Sequence, residues 1–311
     1  MRLPAVVLLI FNRPECTTQV WQRIRAARPK QLFVVADGPR PPRPDDVRLC
    51  KETRKIVETP DWPCELQTNF SDTNMGCRQR VSSGLDWVFD QVLEAIILED
   101  DCVPSPSFFP FCARLLERYR DDTRVTSISG SNLQLGRRRG SADYYFSRIT
   151  HIWGWATWRR AWRQIDIDLG AWPEARNAGF LSSVLRDPRV IAYWTDIFDK
   201  TRRREIDSWG YPWFFTCLTR NGLTAVPNTN LVTNIGIGSD ATHTKGDSSA
   251  LGIPAGELWK FNHPAAVVHD EEADRFHWER HLLGNRNWIS KVRNSLAIRT
   301  RLRRLWHHAS P

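Results

Sequence analysis

The sequence predicts an α/β protein built on a largely parallel sheet. Three observations carry that expectation. Short, continuous apolar runs (Ala5–Phe11, Leu32–Ala36 and Ala95–Leu98) alternate with segments of helical periodicity. Each run stops abruptly at polar or charged residues, as strands buried on both faces do. The hydrophobic share is 41% of 311 residues, enough for a substantial core in one large domain or two small ones.

Taken in order, Ala5–Phe11 is a buried strand, cut off by Asn12-Arg13-Pro14 and too short to cross a membrane. Glu15–Ala27 follows as a helix with Val20, Trp21 and Ile24 on one face. Leu32–Ala36 is a second strand that ends at Asp37-Gly38-Pro39, and Arg40–Pro44 is a proline-rich loop. Asp45–Glu58 reads as a helix and Cys64–Thr68 as a third strand. Val81, Leu85, Val88, Phe89 and Val92 stand at helical spacing and lead into the strand before Glu99. Phe108–Tyr119 is a helix with Ser105 or Ser107 as cap, and Val125–Ser129 is a strand. Strands alternating with helices imply right-handed βαβ units and a Rossmann-like sheet over residues 1–130. Residues 131–288 are less regular and read as the second half of the same domain. They hold a Trp-rich segment (151–163), helices near 188–201 and 211–221, and strand-like pieces at 223–226 and 230–235. Gly136–Ser141 reads as an exposed loop. The 15 tryptophans suit either a core or sugar stacking.

The chemistry begins at Glu99-Asp100-Asp101. Three adjacent carboxylates cannot stay inside a strand, because isolated buried charges cost too much. They belong at the strand's carboxyl end, where open α/β sheets bind ligands, and they suit a hard cation such as Mn2+ or Mg2+. A solvated acidic turn is the other reading. Asn12-Arg13 after the first strand offers a guanidinium for phosphate or base, or is an ordinary turn. Asp37, at the end of the second strand, can accept from a base imide or a ribose hydroxyl. Arg78 and Arg80 precede the central helix run and can neutralise a diphosphate or form a solvated first turn. Cations there oppose the helix dipole, which favours a functional reason. His243 lies in a small, polar run where an imidazole can complete a carboxylate metal site or simply be exposed. The first strand is not followed by Gly-x-Gly-x-x-Gly, which argues against a nicotinamide cofactor, and the chain has no P-loop.

The formal charge of +9 is concentrated at the end of the chain. Residues 289–311 carry six Lys/Arg and no acid, leaving about +3 elsewhere. With no zinc-finger spacing and no aromatic RNP-like run, nucleic acid is not an expected partner. In that tail, Ile298, Leu302, Leu305 and Trp306 share a face beside Arg299, Arg301, Arg303 and Arg304. This basic amphipathic helix suits an anionic membrane surface or plain solvent. The seven cysteines are odd in number and contain no C-x-x-C, so reduced thiols and a cytoplasmic location are expected, with peripheral contact at the inner membrane face.

The ordered set Asn12-Arg13, Asp37, Glu99-Asp100-Asp101, Trp153-Gly154-Trp155 and Thr242-His243 resembles the GT-A nucleotide-sugar glycosyltransferases. It is most similar to the animal N-acetylglucosaminyltransferase I type, whose metal motif is also Glu-Asp-Asp. The chain also resembles bacterial proteins labelled as glycosyltransferases or as hemolytic-protein-like. The resemblance spans roughly residues 5–245. It implies a GT-A fold and an inverting transfer from a UDP-sugar to a glycan or lipid-linked glycan acceptor in bacterial surface polysaccharide synthesis. It implies that Arg13 and Asp37 grip the nucleotide and that Asp101 ligates Mn2+ (or Mg2+) with His243. Asp100 would contact sugar or ribose, Glu99 would support the motif, and Gly154 and Trp155 would lie near the transferred sugar.

The chain departs from the family where an acidic catalytic base should stand between two tryptophans. Trp209-Gly210-Tyr211-Pro212-Trp213 has no acid, and Asp207 is the nearest carboxylate. Asp207 reads either as that base or as an N-cap for the helix that follows. Two other classes remain open: a sugar nucleotidyltransferase, which would carry a glycine-rich loop after the first strand, and a non-catalytic sugar-nucleotide or glycan binder.

Overall fold

β1 (Ala5–Ile10) lies inside the sheet, and all six of its residues are apolar and buried. Alternate side chains serve two cores, as the two-residue period of a strand requires. Val6, Leu8 and Ile10 pack on one face with Leu32, Val34, Ile96, Leu98 and Phe108. Val7 and Leu9 pack on the other with Phe33, Val35, Leu85, Ile97 and Trp155. The computed structural model describes residues 3–236 and 252–283.

The first half follows the expected alternation. α1 (Pro14–Ala27) starts on its proline, whose missing N–H costs nothing there, and it buries Val20, Trp21 and Ile24. β2 (Gln31–Ala36), α2 (Pro44–Val57), β3 (Glu65–Phe70), α3 (Cys77–Phe89) and β4 (Glu94–Glu99) follow. Then come β5 (Cys102–Pro104), α4 (Phe108–Arg118) and β6 (Val125–Ser129). Ser107 stands at the N-cap of α4 but makes no cap bond; its hydroxyl accepts the Leu258 N–H instead.

The second half adds to the same sheet. β7 (Tyr144–Ser147) and β8 (Trp155–Trp158) are strands that the sequence pattern does not reveal, whereas β9 (Leu223–Pro227) is expected from it. The strand order is β3-β2-β1-β4-β8-β6-β9-β7. β1 through β4 are mutually parallel, β8 runs antiparallel between β4 and β6, and β7 is antiparallel to β9. The architecture is a mixed, Rossmann-like sheet flanked by helices. β10 (Val232–Asn234) pairs separately with β5.

Beside the sheet, α5 (Arg159–Trp162), α6 (Trp172–Asn177), α7 (Phe180–Val184), α8 (Pro188–Arg202) and α9 (Gly210–Thr219) complete this half. α6 to α9 pack Trp172, Trp194, Phe198, Phe214 and Phe215 into a third core. α10 (Glu271–His277) continues into a π-helical turn, Trp278–Leu283, whose Trp278 joins that core. The tryptophans are mainly core: Trp155, Trp158, Trp162, Trp172, Trp209 and Trp213 are all fully buried. All seven cysteines are free thiols. The basic tail, 289–311, lies outside the described residues.

Candidate functional site

The chain runs from β1 outward to β2 and β3, then returns to place β4 on the other side of β1. The gap between the carboxyl ends of β1 and β4 is therefore the point where strand order reverses, and open α/β sheets bind ligands in that crevice. The parallel register sets Leu9 beside Glu99, so the residues leaving both strands face each other. Arg13 reaches across the gap. Its Nη2 donates to Asp100 Oδ1 at 2.5 Å and its Nη1 to Asp101 Oδ2 at 2.9 Å. Burial works against the Arg13 charge, but the two carboxylates outweigh it and hold the guanidinium protonated above its ordinary range.

Asp100 is buried and also accepts the Phe11 N–H at 3.3 Å. Asp101 Oδ1 accepts the Cys102 thiol. Glu99 is half-buried, and its carboxyl makes no hydrogen bond among the described residues. Burial, then the charges of Asp101 and Asp100, push the Glu99 carboxyl upward against the opposing pull of Arg13. Burial pushes Asp100 upward too, with Arg13 pulling the other way. Arg13 thus pairs with Asp100 and Asp101 alone, while Glu99, pushed up to about 8, favours its neutral form at pH 7; one guanidinium against two aspartates still leaves negative charge unmet.

The donor chemistry suits a hard divalent ion, which can be held by one or two carboxylates together with substrate phosphates. Among the described residues, however, no group of three or more His, Cys, Asp or Glu is arranged to hold a metal by itself. Arg13 occupies one oxygen of each aspartate. His243 lies outside the described residues. The last described residue before it, Gly236, passes directly over the acids. Its neighbour Ile235 donates to the Asp101 carbonyl at 2.8 Å, and a Cβ on Gly236 would fall 2.1 Å from Asp101 Oδ2.

Asp37 is beside this crevice, at the end of β2, but its oxygens are engaged. Oδ1 accepts from the Gly38 and Met75 amides, both at 2.8 Å, and Oδ2 from Gly76 N at 3.1 Å and Asn74 Nδ2 at 3.0 Å. It fixes the β3–α3 loop. Burial raises its pKa while those backbone amides lower it, and burial wins. Arg80 is likewise turned inward. Its Nε donates to the Ala36 carbonyl at 3.0 Å and its Nη2 to Asn69. The expected diphosphate contact is corrected here, because the guanidinium ties β2 to β3. Arg78 is buried, with Nη1 3.4 Å from Asp168.

Trp155 also departs from expectation. It is 0% exposed and stacks on Trp209 at 5.4 Å, so its ring belongs to the core beneath the sheet and cannot meet a sugar. Gly154 serves close packing: a Cβ there would strike Val232 at 2.6 Å, and its φ of +64° suits glycine. Trp153 is half-buried, and continuing the β4–β8 register brings it level with Glu99.

Asp207 is a cap, though not of the helix expected. α9 has Trp209 at its N-cap with no side-chain bond. Instead Asp207 accepts the first two amides of α3, Cys77 N at 2.8 Å and Arg78 N at 3.1 Å. The carboxylate is exposed. The Cys77 thiol is raised first by burial and then by the charges of Glu99 and Asp207. Asp207 stands next to the Asp37 loop, because Gly76 N donates to Asp37 and the following amide, Cys77 N, donates to Asp207.

Sequence reasoning missed Asp46 and Arg40. Asp46, buried on α2, accepts from Asn12 Nδ2 at 2.8 Å and from Arg40 Nε at 2.6 Å. Arg40 in turn lies over the Phe11 ring, 5.1 Å from its centroid. The Arg40 hydrogen bond holds the Asp46 carboxyl below its usual range. The sequence signal was only a first-turn acid pair, Asp45-Asp46, which the helix dipole explains by itself.

No protein-family model matches the chain, and no curated protein matches it. Among solved structures, one similar fold is a 4-diphosphocytidyl-2C-methyl-D-erythritol synthase from Anaerococcus prevotii, at 8% identity and TM-score 0.37, covering 72% of this chain and 88% of that one. Another is a UDP-glucose pyrophosphorylase complexed with UDP-glucose, at 9% identity and TM-score 0.26, covering 48% of this chain and 58% of that one. Likeness at this level says nothing of what this chain does.

Proposed function

We propose that this chain is a metal-assisted glycosyltransferase that moves a sugar from a UDP-sugar to a hydroxyl of a glycan or lipid-linked glycan. One observation carries the proposal: Arg13 and the Glu99-Asp100-Asp101 cluster meet at the switch point between β1 and β4, with negative charge left over. Unmet charge in a ligand crevice calls for a cation brought with the ligand. Asp101 is the residue to hold Mn2+ or Mg2+ beside the donor's phosphates, with His243 a further donor from outside the described residues, and Asp100 is the contact to sugar or ribose. The ion, when bound, neutralises the charge that develops on the leaving diphosphate.

The chain's own groups have separate work. Arg13 sits where it can pass from the carboxylates to phosphate oxygens, a bidentate role suited to guanidinium. Asn12, held by Asp46, and the loop held by Asp37 form the nucleotide side. Asp207 is the proposed base that takes the acceptor proton, and Glu99 supports the acidic motif from the end of β4. Inversion of the anomeric carbon and the choice of UDP rest on the family resemblance. The basic tail is proposed to rest on the inner face of an anionic membrane. No described helix is long and apolar enough to cross one.

A non-catalytic sugar-nucleotide binder is the competing reading, favoured by the engagement of both Asp207 oxygens as a cap. Thermal shift with UDP-sugars, with and without Mn2+, tests the shared premise, since a ligand of the native state raises its apparent stability. Slow Mn2+-dependent release of UDP separates enzyme from binder. Absence of any nucleotide-sugar shift would remove both readings.

A further inference from the structure

Three histidines that the proposed chemistry does not use are gathered on the side of the sheet where the chain turns into β8. His151 precedes Trp153 and Gly154. His277 ends α10, and His281 lies in the π-helical turn, one helical turn further on. The rings of His151 and His277 are 4.9 Å apart and those of His277 and His281 are 5.0 Å apart. His151 is buried. His277 Nδ1 is buried with no hydrogen-bond partner. Of the three rings only that of His281 has a hydrogen bond among the described residues, from Nε2 to the Leu133 carbonyl at 2.7 Å.

The surrounding charges do not rescue a protonated imidazole. On the histidines' own segment, Asp274 is engaged by Ser147, the Arg148 amide and His269, and Arg280 adds positive charge beside His281. From the loop before β8, Arg148 donates to the Val184 carbonyl. From the 133–139 segment, Arg137 and Arg139 stack on Phe276, and Arg139 pairs with Glu272. From α8, Arg189 pairs with Asp187 and is also drawn by Glu279. No carboxylate hydrogen-bonds any of the three imidazoles among the described residues.

We propose that the His151–His277–His281 cluster is an acid-operated clasp, which holds α10 and the π-helical turn against the loop leading into β8 and releases them when the imidazoles become charged. The clasp ties the C-terminal segment to two stretches that border the crevice. Leu133 follows Gly130, whose amide donates to the Gly154 carbonyl, and His151 lies just before Gly154 itself. π-Helical turns are rare and frequently mark functional positions.

The sign follows from linkage. Burial depresses all three imidazoles, His151 to about 3 and His277 well below the ordinary value, with the neighbouring histidines adding to both. The folded form therefore stays neutral while an opened form takes up protons below its ordinary pKa of about 6.5. Stability of the clasp is full above that pH and is lost as pH falls toward the folded values. Each imidazole contributes at most a tenfold change in the opening equilibrium per pH unit, so three acting together give a steeper dependence than any one can.

Amide hydrogen exchange on the full chain, corrected for intrinsic rates, reads this directly between pH 7.5 and 4.5. Protection of residues 271–283 is expected to fall more than tenfold per pH unit below about pH 6, while the amides of β1 and β4 keep theirs. Replacing two of the rings, His151→Phe with His277→Phe, should flatten the fall to tenfold or less. If that variant does not fold, imidazole NMR on the unaltered chain replaces it, and all three rings should stay neutral until protection is lost. A slope of tenfold or less, a loss shared equally by β1 and β4, or a ring that charges near pH 6.5 with protection intact would each overturn the clasp.

Discussion

Ile97 and Glu99 lie two residues apart on the same face of β4, yet they belong to opposite kinds of structure. Ile97 packs into the core with Trp155, Trp162, Trp209 and Trp213. Glu99, the last residue of β4, leads into Asp100 and Asp101, which pair with Arg13 in a charged crevice. The core region is held by surface removed from water, which is non-directional. The crevice is held by charge, where each group depends on a specific partner and the balance is left incomplete. What is stable and what is available for a ligand are separated within a few ångströms of one strand.

The largest way to sharpen that separation is at Asp207. A positioned base contributes about 10²–10⁴-fold to rate, so Asp207→Asn is expected to retain nucleotide-sugar binding and lose transfer by that factor in a UDP-release assay. Asp207→Ala should in addition cost about 1 kcal/mol in urea unfolding, because it strips the cap from α3. Loss of stability with normal turnover would make Asp207 structural only. Glu205, tied to Arg203 at 2.6 Å, and Asp240, outside the described residues, would then be the next candidates.

Trp155→Ala probes the other region. Truncating a fully buried tryptophan costs about 3–5 kcal/mol, which urea denaturation should register, while the affinity of the remaining folded fraction for a UDP-sugar stays unchanged. A selective loss of affinity at wild-type stability would return Trp155 to the site. Asp101→Asn should do the reverse. Removing a charged hydrogen-bond partner costs about 1.5–3 kcal/mol, seen here as a roughly ten- to hundredfold loss of Mn2+-dependent nucleotide-sugar affinity with near-normal unfolding. Unchanged Mn2+-dependent binding would remove the metal proposal.

The two regions also differ in how far the sequence disclosed them. β1, β2 and β4 are continuous apolar runs because helices cover both faces, and α1 shows its buried stripe plainly. β7 and β8 have only four residues each, Tyr-Tyr-Phe-Ser and Trp-Ala-Thr-Trp, too few to establish a period against an aromatic background. At the site, Arg13 and the acid triplet were legible because an apolar run that breaks into charge marks a strand end in the residue order itself. The employment of Asp37, Arg80 and Asp207 was not. Each bonds to backbone amides or carbonyls far along the chain, as Asp207 does to Cys77 across 130 residues, and a main-chain partner leaves no mark in the sequence.

Gly76 is the hinge between those hidden contacts, and its replacement is the smallest and most discriminating change. It stands at φ +81° and ψ 160°, a region that residues with a Cβ hardly populate. Its amide donates to Asp37, the following amide donates to Asp207, and a Cβ would fall 2.6 Å from Asp207 Oδ2. Gly76→Ala therefore strains the backbone and pushes Asp207 off α3 at the same time. Strain of this kind costs about 1–3 kcal/mol, and it remains even when the clashing tip of Asp207 moves aside. Urea unfolding measures that cost. The UDP-release assay then asks what the displaced carboxylate does. If Asp207 is the base, transfer falls further than UDP-sugar affinity, because Asp101 and Arg13 are untouched and only the loop that Asp37 holds is strained. If Asp207 is only a cap, transfer falls no further than affinity does at the lowered stability, and the function of the crevice must be carried without it.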